Sequence, residues 1–303
     1  MKLLISGSSG LVGSELCRKL ESDSAYEIVR LVRTIASDSR RPSVIWQPAQ
    51  DRLAADLLSG IDAVIHLGGA NIANKRWSPE VKESIYNSRV QSTSLLANTL
   101  ASLENPPSTF LCASAIGFYG DRGSDRVDEN SPRGEGFLAH VCEAWEQATQ
   151  PAAQAGIRVV NMRFGMILDK AGGALAKMLT PFKLGVGGKI GPGSQYWSWI
   201  ALPDVIHAIL FCLQNESMQG PVNFVAPDEV TNLEFTKTLG KVLSRPTVLP
   251  VPAFGIKSLF GEMGQELMLS SARVTPARLQ SAGFEFQYPQ LEDALRALLS
   301  KQA

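Results

Sequence analysis

The sequence is short of the residues from which metal sites and covalent nucleophiles are built. It has 3 histidines, His66, His140 and His207, and 4 cysteines, Cys17, Cys112, Cys142 and Cys212, all far apart. None has the spacing of a zinc ligand set, so no metal is expected, and the cysteines read as packing residues of a reducing compartment. An excess of one charge is missing too, because 29 Lys plus Arg balance 29 Asp plus Glu. That balance gives no electrostatic basis for holding nucleic acid or an anionic membrane surface. No apolar run reaches the length of a bilayer span. The chain opens directly in a strand pattern, which leaves no room for a signal peptide. The expectation is a cytoplasmic protein that handles a small molecule, with no nucleic acid and no membrane, as a monomer or homodimer.

What is present is a chain of 303 residues with 45 % apolar content, enough for one large α/β domain and a smaller lobe. Its first residues carry the strongest pattern. Leu3, Leu4 and Ile5 form an apolar run that suits a strand buried on both faces. Gly7, Gly10 and Gly13 follow, and then Val12, Leu16 and Leu20 recur at helical spacing. Strand, glycine turn and helix open a dinucleotide-binding βαβ unit. Gly7 permits the tight turn, Gly10 the approach of a pyrophosphate, and Gly13 close packing of helix on strand. The spacing is G-x-x-G-x-x-G rather than G-x-G-x-x-G.

Tyr26 to Val32 reads as a second strand, ending at Arg33. A free ribose 2′-hydroxyl is met by an acidic residue roughly 20 positions past the glycines, whereas an arginine suits a 2′-phosphate. No acidic residue follows Arg33 before Asp38. This favours NADP(H) over NAD(H), the alternative being a solvated arginine. Val44 to Trp46 is a third strand, and Ile61 to Leu67 a fourth, running into Gly68, Gly69, Ala70 and Asn71. His66 lies inside that apolar run and reads as a packed residue. Ser78, Pro79 and Glu80 open a long helix, on which Arg89 either reaches the cofactor or makes a surface pair. Thr109 to Ala113 is a fifth strand, delivering Ser114 to the carboxyl end of the sheet, where ligands bind. A loop from Asp121 to Glu135, a helix from Phe137 to Ala155 and a strand from Ile157 to Arg163 follow. From Gly172 glycine turns punctuate short pieces, an aromatic strand runs from Gln195 to Ile200, and the rest is mostly helical.

These residues resemble the extended short-chain dehydrogenases/reductases, which include nucleotide-sugar epimerases and dehydratases. The resemblance rests on Gly7, Gly10 and Gly13, on Gly68-Gly69-Ala70, and on Ser114 to Gly120. The segments His66 to Ile72, Lys75-Arg76-Trp77, Trp145-Glu146, Trp199-Ile200 and Gly283 to Phe286 look like an atypical branch. Its members are epimerase-family proteins of unassigned substrate, sometimes labelled cell-division-inhibitor-like. The resemblance implies a Rossmann-type doubly wound parallel sheet over 1–168 and a mostly helical substrate lobe over 169–303, with some return of chain to the sheet. The expected cofactor contacts are Gly7, Ser9, Gly10, Leu11, Val12, Gly13, Arg33, Leu67, Gly68, Gly69, Ala70, Arg89, Ala113 and Arg163.

The superfamily's chemistry rests on Tyr-x-x-x-Lys, a tyrosine acid or base whose pKa a lysine lowers while holding the nicotinamide ribose. The helix from Gly136 to Glu146 contains neither residue. The candidate substitutes are Ser114 to orient a substrate oxygen, and Tyr119 or His140, with Glu143 near it, to exchange a proton. Asn71, Trp77, Trp197 and Trp199 are candidate substrate-lining residues beside Ser114 and Tyr119, with structural packing the alternative for each tryptophan. Two functions follow: an NADP(H)-dependent oxidoreductase, epimerase or dehydratase acting on a small polar, sugar-like substrate, or a non-catalytic NADP(H)-binding redox sensor or scaffold.

Overall fold

The structure, a computed structural model, describes residues 1–34 and 41–300. Asp38, which entered the cofactor argument, lies outside the described residues. Leu3, Leu4 and Ile5 are completely buried and form β1 (Lys2–Ser6), with Leu3 and Ile5 on one face of the sheet and Leu4 on the other. The strands that follow are β2 (Glu27–Val32), β3 (Ser43–Ile45), β4 (Ala63–His66), β5 (Thr109–Ala115), β6 (Arg126–Val127) and β7 (Arg158–Phe164). Four more complete the set: β8 (Met166–Leu168), β9 (Trp199–Ala201), β10 (Gly220–Phe224) and β11 (Arg273–Val274). The helices are α1 (Leu11–Glu21), α2 (Pro79–Ala101), α3 (Phe137–Gln147), α4 (Gln150–Gln154), α5 (Gly173–Lys183) and α6 (Leu202–Gln214). In the second half lie α7 (Asn232–Leu243), α8 (Ala253–Phe260), α9 (Glu262–Gly264), α10 (Ala277–Ser281) and α11 (Leu291–Leu299).

Seven strands make one parallel sheet in the order β10-β7-β5-β4-β1-β2-β3. The order reverses between β1 and β4, which opens a crevice at their carboxyl ends. α1 and α6 cover one face, burying Leu16, Leu20, Val205 and Ile209 against Leu3, Ile5 and Ile65. α2, α3 and α4 cover the other, burying Leu96, Leu100 and Trp145 against Leu4, Val64 and Phe110. Burying each such aliphatic side chain stabilises the fold by about 1.5–3 kcal/mol, so the crevice sits on a rigid base. The chain returns to this sheet after residue 168, since α6 shares a layer with α1 and β10 pairs with β7 in register Val222 to Met162. The lobe has its own core, formed by Leu175, Phe182, Trp199, Phe235, Leu239, Leu291 and Leu295.

Three elements differ from the sequence reading. The helix expected from Phe137 to Ala155 is two, α3 and α4. The Thr149 hydroxyl donates to the Glu146 carbonyl at 2.7 Å, and Pro151 has no N–H to continue the ladder. Of the aromatic strand, only Trp199–Ala201 pairs as β9 with β8, while Tyr196 and Trp197 make isolated bridges. The loop after residue 120 contains β6, which pairs with β11 near the end of the chain.

Candidate functional site

The turn after β1 is shaped by what cannot fit in it. A Cβ on Gly7, whose φ is +69°, would lie 2.7 Å from the Leu67 carbonyl carbon and oxygen. One on Gly13 would lie 2.2 Å from the Gly7 carbonyl oxygen, so α1 starts directly against the turn. Gly10 caps α1 without a side-chain hydrogen bond, and no acidic residue occupies its first turn. Ser9 and Gly10 are exposed, Leu11 and Val12 half-buried. The free N–H groups at this helix start form an anion site of the kind that binds pyrophosphate. Arg33 stands exposed just past β2.

The end of β4 is fixed from beneath. His66 is completely buried, hydrogen-bonded through Nδ1 to Ser6 Oγ at 2.5 Å and through Nε2 to Ser92 Oγ at 3.3 Å. Burial holds its pKa down at about 4, so it is a neutral bracket between β1, β4 and α2. Leu67 donates its N–H to the Ser6 carbonyl, and Ala70 donates to Ser88 Oγ at 3.0 Å. Leu67, Gly68 and Ala70 are half-buried and Gly69 exposed, so this loop forms a small-residue wall of the crevice. Arg89 reaches the same loop from α2, its Nη2 donating to the Ala70 carbonyl at 3.0 Å.

At the end of β5 a chain of buried polar groups runs inward. Ser114, only 2 % exposed, donates to Glu146 Oε1 at 2.7 Å. Glu146 pairs with Arg163 through two parallel hydrogen bonds of 2.7 and 2.8 Å. Burial works against the Arg163 charge, yet the bonds from Glu146 outweigh it and raise the arginine's pKa. Arg163 Nη1 donates to the Tyr119 hydroxyl at 2.9 Å, which in turn donates to Asn223 Oδ1 at 2.7 Å. The guanidinium also lies 3.5 Å over the Phe118 ring. Four elements, β5, α3, β7 and β10, are tied by this chain.

The network corrects several sequence expectations. Arg163 is 3 % exposed and committed to Glu146 and Tyr119, which leaves little of it open to a cofactor. Tyr119 is fully buried, and burial pushes its pKa up to about 12, so its phenol stays protonated near neutral pH and does not readily give up that proton. Ser114 donates its hydroxyl to Glu146, and Ala115, Ile116 and Gly117 just beyond it are half-buried. His140 is exposed and stacks on Tyr86 of α2 at 5.9 Å, while Glu143 pairs with Arg133 at 3.0 Å. Trp199 is completely buried in the lobe core, its indole donating to the Asp228 carbonyl, so it lines no pocket. Trp197 packs edge-on against Phe235. Trp77 and the exposed Asn71 remain at the mouth of the β4 loop, Trp77 donating to the Ile72 carbonyl and packing edge-on against Phe137.

The part of α3 facing β5 carries Leu138 and Cys142, four residues apart. A Cβ on Gly117 would lie 3.2 Å from Leu138 Cβ and 3.7 Å from Cys142 Sγ. Burial pushes the Cys142 thiol up to about 12, so this face offers no group that titrates near neutrality. Sequence reasoning missed two residues of the site. Glu146 entered only as part of the Trp145-Glu146 segment of the resemblance, and its pairing with Arg163 is made by tertiary packing. Glu266 comes from the far end of the chain, accepting from the N–H groups of Phe137 and Leu138 at 2.8 Å each. It caps α3, which has no side-chain cap of its own.

A parallel sheet reversing between β1 and β4, with a glycine cradle at the crevice, defines a dinucleotide-binding protein of the extended short-chain dehydrogenase/reductase type, atypical in its third helix. Residues 3–226 match the NAD dependent epimerase/dehydratase family, and this chain belongs to that family. Residues 251–298 match a domain of unknown function, DUF1731. An epimerase family protein of Mycobacterium bovis is 40 % identical over 291 residues, covering 96 % of this chain and 95 % of the relative. The chloroplastic homolog of epimerase family protein SDR39U1 from Arabidopsis thaliana is 36 % identical over 308 residues, covering 99 % and 87 %. The crystal structure of human epimerase family protein SDR39U1 with NADPH superposes with a TM-score of 0.87 at 29 % identity, covering 98 % of this chain and 99 % of that one. A UDP-glucuronic acid 4-epimerase from Bacillus cereus in complex with NAD shares the fold at 17 % identity, with a TM-score of 0.77 and coverage of 98 % and 97 %. Among the described residues, no helix is long and apolar enough to cross a membrane.

Proposed function

We propose that this chain binds NADP(H) across the carboxyl ends of β1, β4 and β5 and transfers hydride between it and a small polar, sugar-like substrate under the C-terminal lobe. The observation that carries this reading is the turn at Gly7 and Gly13, where side chains are excluded by main-chain atoms at 2.7 and 2.2 Å. In it, Gly7, Ser9, Gly10, Leu11, Val12 and Gly13 bring backbone donors to the diphosphate. Arg33 takes the adenosine 2′-phosphate, and the family neighbour solved with NADPH supports that choice. Leu67, Gly68, Gly69, Ala70 and Ala113 line the way to the second ribose, and Asn71 and Trp77 border the substrate. When bound, the nicotinamide supplies or accepts the hydride. Leu138 and Cys142 offer no ready proton donor, so the proton is exchanged with His140, exposed on the same helix, or with solvent.

That apolar face of α3, with Ser114 and Tyr119 held in the buried network, supports a second reading, a redox sensor that binds NADP(H) without turnover. Single-turnover absorbance of bound NADPH against a panel of sugars, aldehydes and ketones separates the two. Oxidation that depends on the added substrate supports the enzyme, and tight binding with no oxidation across the panel supports the sensor. Arg33→Ala is expected to weaken NADPH by about tenfold or more and leave NADH within about twofold. Equal losses would remove the assignment of Arg33 to the 2′-phosphate.

A further inference from the structure

Among the described residues, Arg89 is a cation without a counter-ion at the second half of the crevice. Its Nη1 donates to the Ile85 carbonyl at 3.1 Å and its Nη2 to the Ala70 carbonyl at 3.0 Å. Its Cζ lies 5.0 Å from the Trp145 ring, and a Cβ on Gly69 would come within 3.3 Å of it. The guanidinium is therefore sandwiched between the β4 loop and α3. Among the described residues no carboxylate pairs with it. The buried acid on α3, Glu146, is already matched by Arg163. The remaining titratable neighbour, Cys142, stays a neutral thiol because burial raises its pKa.

A dinucleotide whose diphosphate rests on the α1 turn crosses the point where strand order reverses, so its other half runs past the ends of β4 and β5. That half carries the nicotinamide, which is positively charged when oxidised and neutral when reduced. A cation beside it, half-buried between the β4 loop and α3, repels the oxidised ring and leaves the reduced ring unaffected. We propose that Arg89 makes the site selective for the reduced cofactor, so that this protein holds NADPH in preference to NADP+. The inference rests on the nucleotide-binding reading above and adds a redox preference to it. It suits either a hydride donor or a sensor that reports the reduced pool.

The test is a calorimetric titration of the full chain with NADPH, with NADP+, and with adenosine 2′,5′-bisphosphate, which lacks the nicotinamide half. The wild type is expected to bind NADPH about tenfold or more tightly than NADP+. Arg89→Gln brings the two within about threefold, mainly by tightening NADP+, and Arg89→Lys keeps the preference. Bisphosphate affinity stays unchanged in both variants, which shows that the adenosine half of the site is intact. A wild type that binds both cofactors equally overturns the inference and leaves the nucleotide reading standing. So does an Arg89→Gln protein with intact bisphosphate binding and an unchanged ratio. A wild type that binds none of the three ligands overturns the nucleotide reading itself. Should Arg89→Gln not fold, Arg89→Met replaces it, and the wild-type ratio decides without any variant.

Discussion

At the level of single residues, the most exacting position is Gly13, where a methyl group would stand 2.2 Å from the Gly7 carbonyl oxygen. The backbone of Gly7 and Ser8 that it would meet cannot yield without moving α1 away from the turn. Gly13→Ala is therefore expected to destabilise the fold by about 2 kcal/mol or more and to abolish nucleotide binding. Urea unfolding and calorimetry on the same preparation check this, and normal affinity in the variant would contradict the cradle. Glu146 is the residue whose loss should be felt most in the buried network. Glu146→Ala leaves Arg163 buried without its acid, at a cost of about 3–5 kcal/mol, whereas Glu146→Gln keeps part of the hydrogen bonding and costs less. Chemical denaturation of both variants measures the difference. His66 adds a pH dependence. Its folded pKa of about 4 lies below its ordinary 6.5, so between those values the unfolded chain takes up a proton that the folded one refuses. Stability is thus full above about pH 6.5 and falls by roughly 3 kcal/mol as the pH drops to about 4. His66→Asn should flatten this acid limb, and an unchanged slope would show that other groups cause it.

At the level of elements, α3 shows both what the sequence discloses and what it hides. The absence of tyrosine and lysine between Gly136 and Glu146 was legible from the residues alone. What replaces them was not, because Leu138 and Cys142 become the face toward Gly117 only once α3 is docked on the end of β5. The break after Gln147 was hidden for a local reason, a threonine hydroxyl bonding back to Glu146 just before a proline. The start of the helix depends on Glu266, 128 residues from Leu138, and no local pattern encodes such a cap. Glu266→Ala should cost about 1–2 kcal/mol and speed amide exchange at Phe137 and Leu138 selectively. Exchange at those two amides equal to wild type would show that the cap contributes nothing. The aromatic stretch around Trp197 misled in the opposite way, because alternation is also satisfied by a segment that makes single bridges to two loops.

At the level of the whole molecule, the parallel sheet was readable because strands such as β1 and β4 are apolar runs followed by small residues, as in Ile61 to Ala70. The crevice was readable with it, since strand order and the glycine turn fix where a dinucleotide lies. The polar network was not, because Ser114, Glu146, Arg163, Tyr119 and Asn223 come from separate parts of the chain and are united only by packing. Their hydrogen bonds tie β5, α3, β7 and β10 together. The lobe reaches back onto this frame through Lys82 and Glu262, paired at 2.8 Å, and through Lys177, which donates to the Ala73 carbonyl. Everything proposed for the site requires that the crevice hold a phosphorylated dinucleotide. Isothermal calorimetry of the wild-type chain with NADPH and NADH tests that most directly. Saturable binding of NADPH, about tenfold or more tighter than NADH, is the result expected. No heat with either cofactor would contradict it.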